Sequence, residues 1–192
     1  MSELRIVEDW SDPETRGHTI PGARYTSKEF FEQEWEGMWT KVWLLLGREA
    51  EIPNLGDWQM EEVGPEEILM VRQKDGGVKA FYNVCQHRAH QLVSGAGRSP
   101  AITCPYHAWS YDFDGALRAA PNLDVVAGAD KSQICLTEVR CEELLGFLFV
   151  NLDVDAAPMD NWFTGVRAEL EEWVPNWADL KPLEWVEIPE KC

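Results

Sequence analysis

Two matched pairs of cysteine and histidine constrain this chain more than any other feature of its sequence. One residue separates Cys85 from His87, two residues separate Cys104 from His107, and sixteen residues lie between the pairs. Thiolate and imidazole side chains at this spacing typically bind a metal, either as a tetrahedral zinc site or as an iron–sulfur cluster. The composition of each pair distinguishes a zinc site from an iron–sulfur cluster.

Each pair contains one thiolate and one imidazole. Structural zinc sites usually pair like with like, as two close cysteines followed by two close histidines. A Rieske [2Fe–2S] centre needs the mixed arrangement, because two thiolates hold one iron and two imidazoles hold the other. The spacing therefore favours a Rieske centre, and the alternatives are a zinc site or a chance cluster of core residues.

The wider motif resembles the Rieske domain of non-haem iron oxygenases. It consists of Cys-x-His, a gap of similar length, and Cys-Pro-Tyr-His-Ala-Trp at residues 104–109. The resemblance implies that Cys85 and Cys104 bind the buried iron of a [2Fe–2S] cluster. It also implies that His87 and His107 bind the outer iron.

Neighbouring positions refine this resemblance. Respiratory Rieske proteins carry an extra Cys in each loop, whereas this chain has His90 and Tyr106 there. The oxygenase or ferredoxin type is therefore the better match. The commoner oxygenase motif has Gly where this chain has Ala108, a departure that affects backbone freedom rather than ligation.

Several further side chains are predicted to lie beside the ligands. By the resemblance these are Arg88, Tyr106 and Trp109, and the two aromatic rings shield the cluster from water, which tunes its potential. His90 is predicted to be a hydrogen-bonding loop residue rather than a ligand.

Acidic residues are missing from the motif. Residues 83–111 contain no Asp or Glu, although 34 acids in 192 residues would place about five there. Only Arg88 and Arg98 are formally charged in this stretch. Carboxylates near a cluster would oppose the addition of an electron, because net charge influences the reduction potential. The alternative explanation is that tight Gly-, Pro- and Ser-containing loops lack acids for reasons of loop composition alone.

The net charge of −17 limits the partners of the chain. It disfavours nucleic acid and anionic membranes, which require a basic surface, and it is compatible with a basic electron-donor protein. An acidic surface also serves solubility alone. No apolar run is long enough to span a membrane, and the N-terminus lacks a signal-peptide pattern, so we expect a cytoplasmic protein.

The remaining cysteines give no disulfide framework. Cys135, Cys141 and Cys192 are odd in number and scattered. We expect Cys135 and Cys141, which flank a strand-like segment, to be buried as small hydrophobic residues.

The pattern predicts a mainly β fold, a small barrel or sandwich of antiparallel strands with flanking helices. Asp75-Gly76-Gly77 predicts a hairpin, and residues 112–115 predict a turn after the second Cys/His pair. Each pair directly follows a strand, so the two pairs should meet at one tip. The predicted strands are 42–47, 57–63, 66–73, 78–84, 101–104, 108–113, 136–143 and 146–153.

Helices are predicted on both sides of the strands. Residues 1–25 read as an irregular arm, and a capping box of Thr26 and Glu29 predicts a helix over residues 27–40. A second helix is expected from Trp162 to Trp173, ended by Pro175. The run 183–188 could begin another sheet.

We therefore divide the chain into three parts. Residues 1–40 are the N-terminal arm and helix, residues 41–155 are the Rieske domain, and residues 156–192 are a helix and the start of a linker. Family members continue from there into a catalytic domain, which this chain is expected to lack.

The histidine count bears on the activity. A mononuclear iron site needs two His and one carboxylate. Of the four His, two are assigned to the cluster, and His18 and His90 are poorly placed to share a metal. We therefore expect no catalytic residue in this chain, which alone should transfer electrons only.

The resemblance implies a set of partners. It implies an oxygenase α subunit, homotrimeric at full length, which takes electrons from an NAD(P)H-dependent flavin/iron–sulfur reductase. The mononuclear iron would lie in the absent catalytic domain. Residues 88–92, 94–95 and 104–109 are most similar to oxygenases of quaternary ammonium compounds such as carnitine, choline or betaine, and aromatic ring hydroxylation is the alternative substrate class. A free-standing Rieske ferredoxin and a zinc-stabilised interaction module are the alternative functions.

Overall fold

The computed structural model describes residues 22–123, 128 and 130–183. The chain divides into two compact units, Met1–Met38 and Trp39–Cys192. The domain boundaries proposed above, at residues 40 and 155, remain predictions.

The first unit contains two helices, α1 (Ala23–Thr26) and α2 (Lys28–Gly37). Ser27 caps α2, because its hydroxyl accepts a hydrogen bond from the Phe30 N–H at 3.2 Å. The predicted cap at Thr26 was wrong, since Thr26 belongs to α1 and its hydroxyl donates to the Gly22 carbonyl. The helix also ends at Gly37, before the predicted Thr40. The arm predicted to be irregular is helical from Ala23, and its first 21 residues lie outside the described part.

The second unit is built on antiparallel strands, which confirms the predicted mainly β class. One sheet has seven strands in the order β1-β10-β9-β4-β3-β2-β5, and a smaller sheet has the order β6-β7-β8. The strands are β1 (Leu44–Arg48), β2 (Asp57–Val63), β3 (Glu66–Arg72), β4 (Val78–Tyr82), β5 (Ala96–Arg98), β6 (Ile102–Thr103), β7 (Ser110–Tyr111), β8 (Leu117–Ala119), β9 (Glu138–Leu144) and β10 (Phe147–Asn151).

The predicted turns lie where the sequence placed them. Asp75-Gly76-Gly77 joins β3 to β4, with Gly76 at φ 89° and Arg72 opposite Val78. The turn at residues 112–115 closes with a hydrogen bond from the Gly115 N–H to the Asp112 carbonyl at 3.0 Å. β9 and β10 form the predicted hairpin, although β10 also pairs with β1 and so does not end the sheet. The short strands β5 and β8 were not predicted.

The C-terminal helix is shorter than predicted. A 3₁₀ turn, Met159–Asn161, precedes α3 (Val166–Trp173), which begins after Gly165 rather than at Trp162. α3 ends before Pro175, as expected. The predicted strand at residues 183–188 lies outside the described residues apart from Leu183.

The two cysteines outside the motif differ from each other. Cys135 is exposed, so its predicted burial was wrong, because the adjacent Leu136 takes the inward position. Cys141 is partly buried, and its burial, together with the neighbouring Glu142 carboxylate, raises the pKa of its thiol to about 12. Cys192 lies outside the described part of the chain.

Across residues 22–183, apart from the gaps given above, no helix has the length and apolar character needed to cross a membrane.

Candidate metal centre

The first Cys/His pair lies in a tight loop that follows β4. The Cys85 N–H donates to the His90 carbonyl at 2.9 Å, and the Ala89 N–H donates to the Cys85 carbonyl at 2.9 Å. Ala89 has a φ of 50°, in the left-handed region. His87 lies within this turn and is exposed.

The second pair lies in a loop of the same design between β6 and β7. The Cys104 N–H donates to the Trp109 carbonyl at 2.8 Å, and the Ala108 N–H donates to the Cys104 carbonyl at 3.1 Å. Ala108 has a φ of 58°. Both loops thus bond the cysteine N–H to the carbonyl five residues on, and both hold an alanine in a conformation that favours glycine.

The loops bring the four predicted ligands together with a clear polarity. Cys85 and Cys104 are each 2% exposed and belong to one buried cluster of core residues. His87 and His107 are exposed, and their ring centroids are 4.7 Å apart. The sulfur atoms therefore face the core and the imidazoles face the surface, which fits a cluster with a thiolate end and an imidazole end.

Each iron of a Rieske cluster needs two protein ligands, since sulfide supplies the rest. Within the described residues, no three His, Cys, Asp or Glu side chains are placed to bind one metal ion. The donor set offered by the two loops is two thiols and two imidazoles, which is the set that a [2Fe–2S] cluster of this type requires.

Aromatic rings cover the two histidines unequally. The buried Trp109 stacks on His87 with centroids 4.7 Å apart and ring planes 10° from parallel. Tyr106 lies 3.7 Å from His107, centroid to centroid, and is 54% exposed. Trp109 is therefore the better placed of the two to exclude water, and Tyr106 covers His107 from the solvent side.

Basic and imidazole side chains lie near His107. Partial desolvation, followed by the nearby His87, Arg88 and His90 side chains, lowers the pKa of His107 below its ordinary value. A lowered pKa keeps the imidazole neutral, which is the form that binds a metal. Arg88 is exposed beside the loop. His90 is the hydrogen-bonding residue that was predicted, since its Nδ1 lies 2.6 Å from the Gln91 carbonyl oxygen.

Sequence reasoning missed Tyr111. Its ring is buried, and its hydroxyl lies 3.2 Å from Cys85 Sγ while accepting a hydrogen bond from the Gln86 N–H at 3.0 Å. Burial and the Cys85 thiol raise the pKa of Tyr111 above its ordinary value. The signal was the alternation of Trp109, Ser110 and Tyr111, which puts both aromatic rings on the inward face.

A comparison with family models identifies residues 42–130 as a Rieske [2Fe-2S] domain. These residues form a Rieske domain. A Rieske domain holds a [2Fe–2S] cluster, so the zinc alternative is set aside.

The relatives of this Rieske chain are oxygenase subunits. It is 42% identical over 164 residues to the carnitine monooxygenase oxygenase subunit of Escherichia coli K12, a match that covers 85% of this chain and 44% of the relative. It is 34% identical over 140 residues to the biphenyl 2,3-dioxygenase subunit alpha of Rhodococcus jostii RHA1, covering 72% of this chain and 30% of the relative.

A solved structure agrees with these matches. The crystal structure of the quaternary ammonium Rieske monooxygenase CntA with L-carnitine superposes with a TM-score of 0.80 at 38% identity, covering 85% of this chain and 47% of that chain. The chain thus spans less than half the length of the relatives that it matches.

Proposed function

We propose that Cys85 and Cys104 bind one iron of the [2Fe–2S] cluster and that His87 and His107 bind the other. The observation that carries this proposal is the polarity of the paired loops, with both thiols in the core and both imidazoles 4.7 Å apart at the surface. An iron held by two exposed imidazoles is close to solvent and to any protein that docks there.

We propose further that the chain is the electron-transfer part of a Rieske oxygenase. When bound, the cluster supplies one-electron transfer from an NAD(P)H-dependent flavin/iron–sulfur reductase to a mononuclear iron in the remainder of the oxygenase, a homotrimer at full length. The relatives named as oxygenase subunits support this role. The residues of this chain hold the cluster, exclude water from it through Trp109 and Tyr106, and keep carboxylates away from it.

We propose that the oxygenase acts on a quaternary ammonium compound. The support is the higher identity to a carnitine monooxygenase subunit, 42%, than to a biphenyl dioxygenase subunit, 34%. These 192 residues alone are proposed not to hydroxylate a substrate, because two of the four His are assigned to the cluster and His90 bonds within the loop. The cytoplasmic location stays a prediction.

The test is to purify the protein and measure iron, acid-labile sulfide and visible absorption before and after mixing with reductase and NAD(P)H. About two irons per chain are expected, and the reductase should bleach the visible bands. A coloured protein that no NAD(P)H-dependent reductase reduces would refute the assigned partner but not the ligand set. A protein without iron would refute both.

A further inference from the structure

The two cluster loops are closed at their bases in different ways. The second loop is closed by backbone pairing, with Ile102 opposite Tyr111 and Thr103 opposite Ser110. The first loop has no such hairpin, because β4 ends at Tyr82 and the next strand, β5, pairs with β2 instead. A single bridge between Val84 and Gln91 lies within this loop.

A side chain strengthens this short backbone pairing at the base of the first loop. The Asn83 carboxamide bonds to both backbone groups of Val93, because Nδ2 donates to its carbonyl at 2.8 Å and Oδ1 accepts from its N–H at 3.1 Å. The Asn83 carbonyl also accepts a bond from the Leu92 N–H at 3.3 Å. The two carboxamide bonds therefore lie at the base of the first loop, where the β6–β7 pairing lies in the second loop, and they add to the Val84–Gln91 bridge and the Asn83–Leu92 bond.

Asn83 is itself fixed to the sheet. Its backbone N–H donates to the Glu67 carbonyl at 2.9 Å, and its Nδ2 also donates to Glu67 Oε2 at 2.9 Å. The residue is fully buried, at 0% exposure. A buried amide that loses its partners leaves unsatisfied polar groups behind, so each of these bonds is costly to break.

The clamp lies next to the proposed ligands. Asn83 precedes Cys85 by two residues and Val93 follows His87 by six, so the Asn83–Val93 pair closes residues 84–92. Any opening of this pair would loosen the loop that carries one thiolate and one imidazole, while the second loop stayed closed.

We propose that Asn83 is a positioning residue for the cluster: its carboxamide closes the first loop and so fixes Cys85 and His87 relative to the second loop. The proposal rests on the ligand set given under Proposed function. Asn83 is not one of the proposed ligands, and its effect is exerted through the loop backbone.

Asn151 provides a matched control. It is also fully buried, at 0% exposure, and it also makes side-chain bonds to backbone groups, donating to the Lys41 carbonyl at 3.4 Å and accepting from the Asp153 N–H at 2.9 Å. It lies in β10 and bonds to neither cluster loop. A purely structural role for Asn83 would make the two residues behave alike.

The experiment compares Asn83→Leu with Asn151→Leu, since leucine keeps the approximate volume and removes the amide. Four quantities are measured: the unfolding midpoint in urea, iron per chain, the electron paramagnetic resonance spectrum of the reduced cluster, and the rate of bleaching under a chelator. Both variants should unfold at lower urea. Only Asn83→Leu should shift the spectrum and bleach at least about tenfold faster, because the loss of one buried hydrogen bond corresponds to about tenfold and this variant loses both carboxamide bonds to Val93.

Asn83→Ser keeps the proposal testable if Asn83→Leu does not fold. A serine hydroxyl supplies one donor, so the rate of bleaching should fall between the wild-type rate and the rate expected when the whole carboxamide is lost. The proposal is overturned if the Asn83 variants keep the wild-type spectrum and bleach no faster than Asn151→Leu. In that outcome the wild type still holds its cluster and the proposed function stands, whereas a wild type without iron would overturn both.

Discussion

The two cluster loops make the same turn in different surroundings. In each, the cysteine N–H bonds to the carbonyl five residues on, and an alanine adopts a positive φ. The first loop is closed by the Asn83 side chain, and the Tyr111 hydroxyl lies on its cysteine. The second is closed by the β6–β7 hairpin, and its histidine lies under the half-exposed Tyr106.

The shared turn and the unshared contacts should therefore have different functions. The shared turn holds one thiol and one imidazole in each loop, although one residue separates them in the first loop and two in the second, so the loops should be equivalent for holding the metal. The Asn83 and Tyr111 contacts belong to the first loop and the Tyr106 contact to the second. The reduction potential and the stability of each loop should therefore respond differently to substitutions in the first and second loops. Matched substitutions in the two loops therefore test the equivalence, and substitutions of the unshared contacts test the difference.

Loss of a cysteine should have the largest effect. Cys85→Ala and Cys104→Ala each leave one iron with a single protein ligand, so iron should fall from about two per chain to near zero in both variants. Iron and sulfide analysis of the purified proteins measures this. Cys141→Ala is the control and should retain full iron, because a thiol whose pKa is raised to about 12 stays protonated. Retention of iron in either loop variant would contradict the assigned ligands.

Replacing one imidazole by thiolate should preserve iron and lower the potential. His107→Cys and His87→Cys each add negative charge to the cluster, and the midpoint should fall by roughly 100 mV or more, toward the range of all-cysteine ferredoxins. Redox titration followed by visible absorption gives the midpoints. Similar shifts would support equivalent roles of the two histidines, while an unchanged midpoint for one of them would remove it from the ligand set.

Removal of the Tyr111 hydroxyl should change the midpoint potential by a smaller amount, through its contact with the first loop. Once Cys85 binds iron as a thiolate, the hydroxyl donates to its sulfur, which favours the reduced and more negative cluster. Tyr111→Phe should therefore lower the midpoint by about 40 mV, taking about 1 kcal/mol for one hydrogen bond and 59 mV per tenfold for one electron.

Tyr106→Phe is the matched control for Tyr111→Phe. It removes an exposed hydroxyl from the ring over His107, and no bond from this hydroxyl to a cysteine sulfur is present in the described structure. Its midpoint should stay within a few millivolts of the wild type. Equal shifts in the two variants would show that the effect comes from ring polarity in general rather than from the Cys85 contact.

Relief of backbone strain should have the smallest effect and should be the same on both sides. Ala89→Gly and Ala108→Gly each remove a Cβ from the left-handed region, so each should raise the free energy of unfolding by up to about 1 kcal/mol. Ala119→Gly in β8 is the control, since it has no positive φ and should instead destabilise by about 0.5–1 kcal/mol. Urea unfolding measures the free energy of unfolding of all three variants. A loss of stability in the loop variants would show that Ala89 and Ala108 are not strained.

Much of this arrangement could be predicted because its signals are local. The Cys/His spacing, the hairpin at Asp75-Gly76-Gly77 and the alternating strands all act within a few residues. The predictions were wrong where an adjacent element determines the local structure. Thr26 and Ser27 are both acceptable caps, and only the preceding helix α1 excluded Thr26.

The features that the sequence did not reveal depend on contacts between distant residues. The Tyr111 hydroxyl meets a sulfur 26 residues away, and Asn83 clamps a backbone 10 residues on while bonding to Glu67 in a neighbouring strand. Residue type alone does not decide such pairings, since asparagine before a loop is equally typical of an exposed turn. Cys135 shows the same limit, because the inward position of Leu136 outweighed the usual preference of cysteine for burial.

The most direct test of the account is the ligand set of the cluster in the intact protein. Histidine labelled with ¹⁵N, combined with pulsed electron paramagnetic resonance of the reduced protein, counts the nitrogen ligands, and Mössbauer spectroscopy separates the two irons. We predict two inequivalent histidine nitrogens on one iron and thiolate ligation of the other. All-thiolate ligation, or a protein without iron, would contradict the central claim.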